Sequence, residues 1–312
     1  MSAGARLRTA VVAGASGFVG QHLVRGLEEA GVRVRTIGRR AGDDASWDDH
    51  AGLVRAVTGA DLVVNLAGRS VSCRYTKRTV DEIFSSRVTT TAALGRALGD
   101  SSAPPELWVN ASTGTIYRDA RDRPMDEATG EIGTGLSVAV ARAWEHELDI
   151  APTDVRKVAL RMSIVLGTGG GAVNPLINLA RLGLGGRMGD GDQVFSWVHA
   201  DDVTAAVLHL AAHPELEGPV NVATPNPETN SETMRQVREV FGRPVGVPTP
   251  AWLLELGGRL IRTEPELVLK SRWVHPAVLL GSGFEFAHPT LAGALEEIAG
   301  RTRRGILPVA LG

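Results

Sequence analysis

The segment Gly14-Ala15-Ser16-Gly17-Phe18-Val19-Gly20 is a G-x-x-G-x-x-G turn, and its flanks constrain the fold more than any other feature of the chain. Before it, Thr9-Ala10-Val11-Val12-Ala13 reads as a buried strand. After it, Phe18 to Ala30 reads as a helix, with Leu23 and Leu27 one turn apart on a shared face and Gly31 ending it. A glycine turn in that position presents backbone N–H groups at a helix start, where they can hold a pyrophosphate. Without side chains, the main chain can approach the ligand and the helix can pack on the sheet. A bare glycine pattern would mark only a tight bend. Between a strand and a helix it points to nucleotide binding by Gly14, Ser16, Gly17, Phe18, Val19 and Gly20.

The rest of the first half repeats the alternation. Val32 to Ile37, Asp61 to Leu66, Leu107 to Ala111 and Val155 to Leu166 read as strands, whereas Thr79 to Leu98 and Leu136 to Leu148 carry helical spacing. Strands alternating with helices imply right-handed crossovers and a parallel sheet covered on both faces. After Leu166 the rhythm changes. Gly167 to Gly171 and Gly183 to Gly191 frame an apolar segment from Val173 to Leu184, and the second of these loops either closes over a ligand or simply turns tightly. Val194 to Val198 and Val220 to Val222 read as strands around a helix at Asp202 to Ala212, and Pro225 opens a smaller lobe. The expected organisation is a nucleotide-binding domain over 1–224, with 167–193 contributing to a substrate lobe completed by 225–312.

Composition removes several alternatives. Lys+Arg 33 against Asp+Glu 35 leaves a net charge of -2 with no basic stripe, which excludes a nucleic-acid binder. A single cysteine, Cys73, excludes disulfide frameworks and zinc knuckles, and a lone thiol beside Arg74 reads as inert. The short polar Met1 to Arg8 opening and the lack of an 18-residue apolar run lead us to expect a soluble cytoplasmic protein with no membrane partner.

The end of the second strand bears on which dinucleotide fits. A carboxylate there would bind a ribose 2′-hydroxyl, whereas arginine accommodates a 2′-phosphate. The strand runs into Gly38-Arg39-Arg40, and no acid appears until Asp43. Arg39, with Arg40 as second choice, therefore favours NADP(H); the alternative is two solvated surface arginines. Leu66-Ala67-Gly68 closes the next strand with small residues that can flank a ribose and adenine.

These motifs resemble the extended short-chain dehydrogenase/reductase superfamily, and within it the atypical "epimerase family" often labelled SulA-like or YfcH-like, which carries a C-terminal domain of unknown function. The resemblance runs in order through Val12 to Gly20, Asn65 to Gly68, Ser86 to Thr91, Gly169 to Ala172, Arg181 to Gly191, Ser196 to Asp202 and Gly283 to Phe286. It implies an α/β fold, a doubly wound parallel Rossmann sheet with a smaller C-terminal substrate lobe. It also implies a small-molecule substrate and allows a homodimer built on helices flanking the sheet.

The superfamily's Tyr-x-x-x-Lys pair is missing. The matching helix offers Ser137 and Ala141, and neither tyrosine of the chain, Tyr75 or Tyr117, has a lysine four residues on. What remains is Ala111-Ser112-Thr113-Gly114-Thr115-Ile116-Tyr117, similar to the superfamily's serine-rich turn. Ser112 or Thr113 can hydrogen-bond a substrate carbonyl and Tyr117 can supply the missing acid. The same residues can equally be turn-forming caps and a pocket wall. Arg87, where related epimerases carry asparagine, either meets cofactor or substrate or braces its helix. His199 with Asp201 and Asp202 invites a general-base or metal reading, but Asp201 and Asp202 immediately precede an apolar helix and read as its caps, and no metal is expected. Trp197, Trp252 and Trp273 read as core. Two functions remain open: an NADP(H)-dependent oxidoreductase or nucleotide-sugar epimerase with a non-standard proton donor, or an inactive NADPH-sensing binding protein.

Overall fold

The computed structural model of the protein describes residues 7–242, 244–250 and 269–309. Its core is a seven-stranded sheet in which every pairing is parallel. In chain order the strands are β1 (Thr9–Ala13), β2 (Arg33–Gly38), β3 (Ala45–Ser46), β4 (Leu62–Asn65), β5 (Leu107–Thr113) and β6 (Arg156–Met162); the last, Gly218–Val222, becomes β10 once three short strands before it are counted. Spatially the order is β3-β2-β1-β4-β5-β6-β10. The chain therefore builds outward from β1 in one direction, then returns to build in the other. That reversal leaves a crevice between the carboxyl ends of β1 and β4, the place where such sheets bind ligands.

Alternation along each strand explains the double cover. Ala10, Val12, Leu62, Val64, Val109 and Leu160 point to one face, beneath Leu23 and Leu27 of α1 (Phe18–Glu29). Val11, Ala13, Val63, Trp108 and Ala159 point to the other, beneath α2 (His50–Val57), α3 (Lys77–Gly99) and α4 (Leu136–Asp149). Neither β3 nor α2 is announced by periodicity. The turn between β2 and β3 and the start of α2 are made by aspartates: Asp44 accepts the Thr36 N–H, and Asp49 caps α2 by accepting the Gly52 N–H at 2.8 Å.

Two apolar runs that read as single strands are each broken at a serine. Val155 to Leu166 divides at Ser163 into β6 and β7 (Ile164–Leu166), and Val194 to Val198 divides at Ser196 into β8 (Val194–Phe195) and β9 (Trp197–His199). β7 pairs with β9 outside the main sheet, and β8 pairs with β11 (Glu228–Thr229). The Ser163 N–H bonds to the Val222 carbonyl, and the Ser196 hydroxyl accepts the Val274 N–H, so each break is tied to another segment.

Following β9, α6 (Ala200–Ala212) lies against α1, and its Val203, Ala206, Val207 and Leu210 complete the first face. A further apolar cluster joins α5 (Val173–Arg181), α7 (Asn230–Phe241) and, beyond a short helix α8 (Ala277–Gly281), α9 (Leu291–Arg301). The Gly183–Gly191 loop is pinned by backbone bonds from Gly186 to Val247 and from Gly189 to Thr249. Trp197 is fully buried and Trp273 half-buried, while Trp252 lies outside the described residues. Cys73 is buried. Among the described residues, no helix is long and apolar enough to cross a membrane.

Candidate active site

The glycine turn packs against the end of β4. Gly14 has φ +80, and a Cβ there would fall 2.8 Å from the Leu66 carbonyl carbon; at Gly20 it would fall 2.4 Å from the Gly14 oxygen. A side chain at Gly14 would push the turn from the end of β4, and one at Gly20 would push α1 from the turn. Helix α1 starts with no side-chain cap and no acid in its first turn. Its leading N–H groups are thus left for an anion, which is the donor set a pyrophosphate requires. Ser16 is exposed, and Phe18 turns aside, packing edge-on against His22 with ring centroids 5.0 Å apart.

Arg39 and Arg40 are exposed beyond β2, and among the described residues neither guanidinium has a hydrogen-bond or ion-pair partner. Asp43 turns back toward the strand end. Its carboxylate accepts the Arg40 N–H at 2.8 Å and sits 2.2 Å from where a Gly38 Cβ would stand. The first acid after β2 therefore closes the turn.

Beside the crevice lies a cavity of about 280 Å³. Helical spacing brings Val80, Ile83 and Arg87 of α3 to one wall and Ser137, Val140 and Trp144 of α4 to another. The ends of β5 and β6 supply Ala111, Ser112, Thr113, Met162 and Ser163, and Val19 and Leu66 join the cavity to the glycine turn. Gly68 lies beside Arg87, where a Cβ would be 3.1 Å from the guanidinium carbon, and the Ala67 N–H is held by Asn65. Tyr75 completes the lining just before Thr76, which caps α3 in a reciprocal pair with Thr79.

Arg87 lies 4.9 Å over the Trp144 ring and donates from Nη1 to the carbonyls of Arg69 and Ile83. Burial pushes its guanidinium down to about 10, and the nearby Tyr75 phenolate would favour the charged form. Arg87 braces its helix and faces the cavity at once. Among the described residues no carboxylate pairs with it.

Hydroxyl protons are distributed unevenly. Ser112 donates to Glu145 Oε1 at 2.5 Å, so only its lone pairs are left for a ligand. Thr113 accepts the Thr115 N–H at 3.1 Å, and the two hydroxyls, 3.0 Å apart, share one hydrogen bond. One proton of that pair remains to be donated into the cavity. The Ser163 hydroxyl is buried without a partner.

Tyr117 does not reach this space. The 3-10 turn Gly114–Ile116 swings it inward to 1% exposure, where its OH donates to Asn221 Oδ1 at 2.9 Å and accepts from Arg161 Nη1 at 2.9 Å. Burial pushes its phenol up, against the opposing pull of Arg161. The sequence-based reading of Tyr117 as proton donor is therefore corrected. Tyr117 belongs to a buried chain in which Arg161 also grips Glu145 through Nε at 2.8 Å and Nη2 at 2.7 Å. Burial pulls the Arg161 guanidinium down, but Glu145 and the Tyr117 oxygen outweigh it and leave its pKa raised. Beyond Asn221, Glu127 accepts the N–H groups of Asn221, Ala277 and Val278.

Ala141, at the position of the missing lysine, is fully buried in an apolar cluster with Tyr117, Met125 and Val274. The capping expectation near α6 also changes in detail. His199 itself caps the helix, whereas Asp202 accepts the N–H groups of Ala287 and His288 at 2.7 and 3.1 Å. Three residues of the site escape sequence reasoning: Tyr75 sits in an irregular segment, Ser163 inside an apolar run, and Thr115 drew no separate role. The scarcity of tyrosine was the one available signal for Tyr75.

Residues 10–223 match the model of the NAD dependent epimerase/dehydratase family, and residues 249–298 match a domain of unknown function, DUF1731. The chain belongs to the NAD dependent epimerase/dehydratase family. Relatives in this family include the bovine epimerase family protein SDR39U1, 31% identical over 295 residues and spanning 92% of this chain and 98% of its own. The Mycobacterium bovis epimerase family protein Mb2239 is 33% identical over 293 residues, with 91% and 95% covered. The crystal structure of human SDR39U1 (isoform 2) with NADPH superposes at a TM-score of 0.87, with 28% identity, 94% of this chain and 100% of that chain covered. The order of the parallel sheet and this superposition agree with the doubly wound architecture expected from the sequence.

Proposed function

We propose that this family member is an NADP(H)-dependent oxidoreductase or epimerase acting on a small carbonyl or sugar-nucleotide substrate. The observation that carries the reading is one shared space. The uncapped start of α1, the Thr113–Thr115 hydroxyl pair and the Tyr75–Arg87 pair all meet around it. The backbone of the glycine turn and of Leu66 to Gly68 would hold the dinucleotide, Arg39 and Arg40 its 2′-phosphate, and the unpartnered Ser163 hydroxyl its carboxamide. When bound, NADPH supplies a hydride to the carbonyl carbon.

The chain's own groups handle the oxygen. The spare proton of Thr113 and Thr115 orients it. Tyr75 then donates the proton, because a phenol is a far stronger acid than an aliphatic hydroxyl and the Arg87 cation stabilises the phenolate left behind. Arginine beside tyrosine thus takes over the task that lysine performs in the superfamily's usual pair. Ser112 and Glu145 touch the reaction only by fixing the wall of the site.

The test is a screen of purified protein with NADPH against aldehydes, ketones and nucleotide sugars, followed at the nicotinamide absorbance band. Turnover supports the enzyme. Tight NADPH binding with a uniformly silent screen supports the alternative, a sensing protein that kept the fold and lost turnover, for which Ser137 and Ala141 speak. Cofactor selectivity has its own measurement. Arg39→Ala with Arg40→Ala removes charge-assisted bonds worth about 1.5–3 kcal/mol. Calorimetry should show NADPH affinity falling at least about tenfold, with NADH affinity unchanged. Equal loss for both cofactors would remove the arginines from the 2′-phosphate.

A further inference from the structure

A cluster of titratable side chains lies outside the cavity and has no part in the chemistry above. It joins the start of α6 to the segment leading into α9. His199 is 2% exposed, and its Nδ1 accepts the Asp201 N–H at 3.2 Å. On the opposite edge, Nε2 faces Glu297 Oε2 at 3.1 Å, and the other Glu297 oxygen is paired with Arg301 Nε at 2.7 Å. A carboxylate in that position keeps the proton on Nε2 and leaves Nδ1 as the acceptor, the arrangement found behind metal-binding histidines; an ion there would displace the Asp201 N–H from the Nδ1 lone pair.

Two more donors converge on that lone pair. Asp201 Oδ2 is 3.6 Å from His199 Nδ1 and 3.9 Å from His288 Nε2. The His288 ring lies over the His199 ring, with centroids 3.9 Å apart and planes tilted by 43°. The three ligand atoms all lie within 4.8 Å of one another. A tetrahedral site with bonds of about 2.0–2.1 Å needs its donors roughly 3.3–3.5 Å apart. Small rotations of half-exposed Asp201 and partly buried His288 suffice to close the triangle. The backbone of His288 is already fixed by the buried Asp202 carboxylate.

We propose that His199, Asp201 and His288 bind a divalent first-row transition ion of the zinc class, with Glu297 positioning His199 and a fourth coordination place open to water. Two imidazoles and one carboxylate suit zinc, cobalt or nickel, not magnesium or calcium. The ion would clamp the segment before α9 onto the first turn of α6. The sequence alone could not show this, because it offers His199 and Asp201 together but gives no sign that His288 folds back upon them.

The experiment titrates the chelator-treated full chain with Co²⁺, followed in the visible spectrum, and with Zn²⁺, followed by calorimetry and thermal melting. The proposal expects one ion per chain, the strong cobalt absorbance of a four-coordinate site, and a melting temperature that rises with zinc. His288→Ala and Asp201→Asn should each weaken binding about a hundredfold or more. Glu297→Gln should weaken it about 10–100-fold while keeping the cobalt spectrum. Asp201→Asn serves as the second variant should His288→Ala fail to fold. The competing surface pair is His209 and His213, stacked with centroids 4.0 Å apart. Affinity that survives His288→Ala but is lost in His213→Ala overturns the proposal, as does the absence of saturable binding to the native chain.

Discussion

Replacing Tyr75 with phenylalanine is expected to lower kcat for carbonyl reduction by about 10²–10⁴-fold, the range by which a positioned acid contributes. NADPH affinity should stay as it was, because the ring still walls the cavity and the phosphate-binding backbone lies elsewhere. Steady-state kinetics on any substrate that the screen identifies, with a separate binding titration, separates the two quantities. Arg87→Gln should reproduce part of the loss and shift the alkaline limb of the kcat profile upward in pH, since the phenolate loses its cation. Tyr117→Phe is the control. Its phenol is buried and already engaged by Arg161 and Asn221, so it should affect stability and leave the pH profile in place. If Tyr117→Phe removes activity while Tyr75→Phe retains it, the proton donor has been misassigned.

The second large effect concerns folding. Arg161 and Glu145 have side chains 9% and 15% exposed, and their ion pair is bidentate. Arg161→Met leaves the Glu145 carboxylate buried against Ser112 with no cation and takes a donor from Tyr117. Removing one partner of such a pair costs about 3–5 kcal/mol. Urea unfolding should show a loss of that size. A double variant, Arg161→Met with Glu145→Leu, should recover much of it, because two apolar side chains of similar volume need no partner. A single variant within about 1 kcal/mol of the parent would show that the pair contributes little beyond its packing.

The parts of the fold legible in the sequence are those set by local pattern. The β-branched runs that became β1, β4 and β5 lie between two helical layers, so their apolar character is continuous, and the glycine turn sits where strand passes into helix. Arg39 and Arg40 follow β2 with exposed side chains, as their charge suggested. The site itself was harder to read, because its polar groups are placed by tertiary packing. Ser163 interrupts a run whose hydrophobicity gave no sign of a break. Tyr75 precedes a helix cap and belongs to no period. Glu145 and Arg161 meet from a helix and a strand. Tyr117 was misread for a related reason: one 3-10 turn after β5 decides whether its ring points outward or inward, and the residue types Gly114-Thr115-Ile116 do not fix that choice.

The close packing around Ala141 sets a limit on redesign. Grafting back the superfamily's usual tyrosine and lysine at 137 and 141 looks like an exchange of two residues, yet the second would drive an ammonium into the apolar cluster shared by Tyr117, Met125 and Val274. The carboxylate one turn further along that helix, Glu145, is already bound to Arg161. Conversion to the common chemistry would thus require rebuilding the packing behind the cavity before touching the cavity itself.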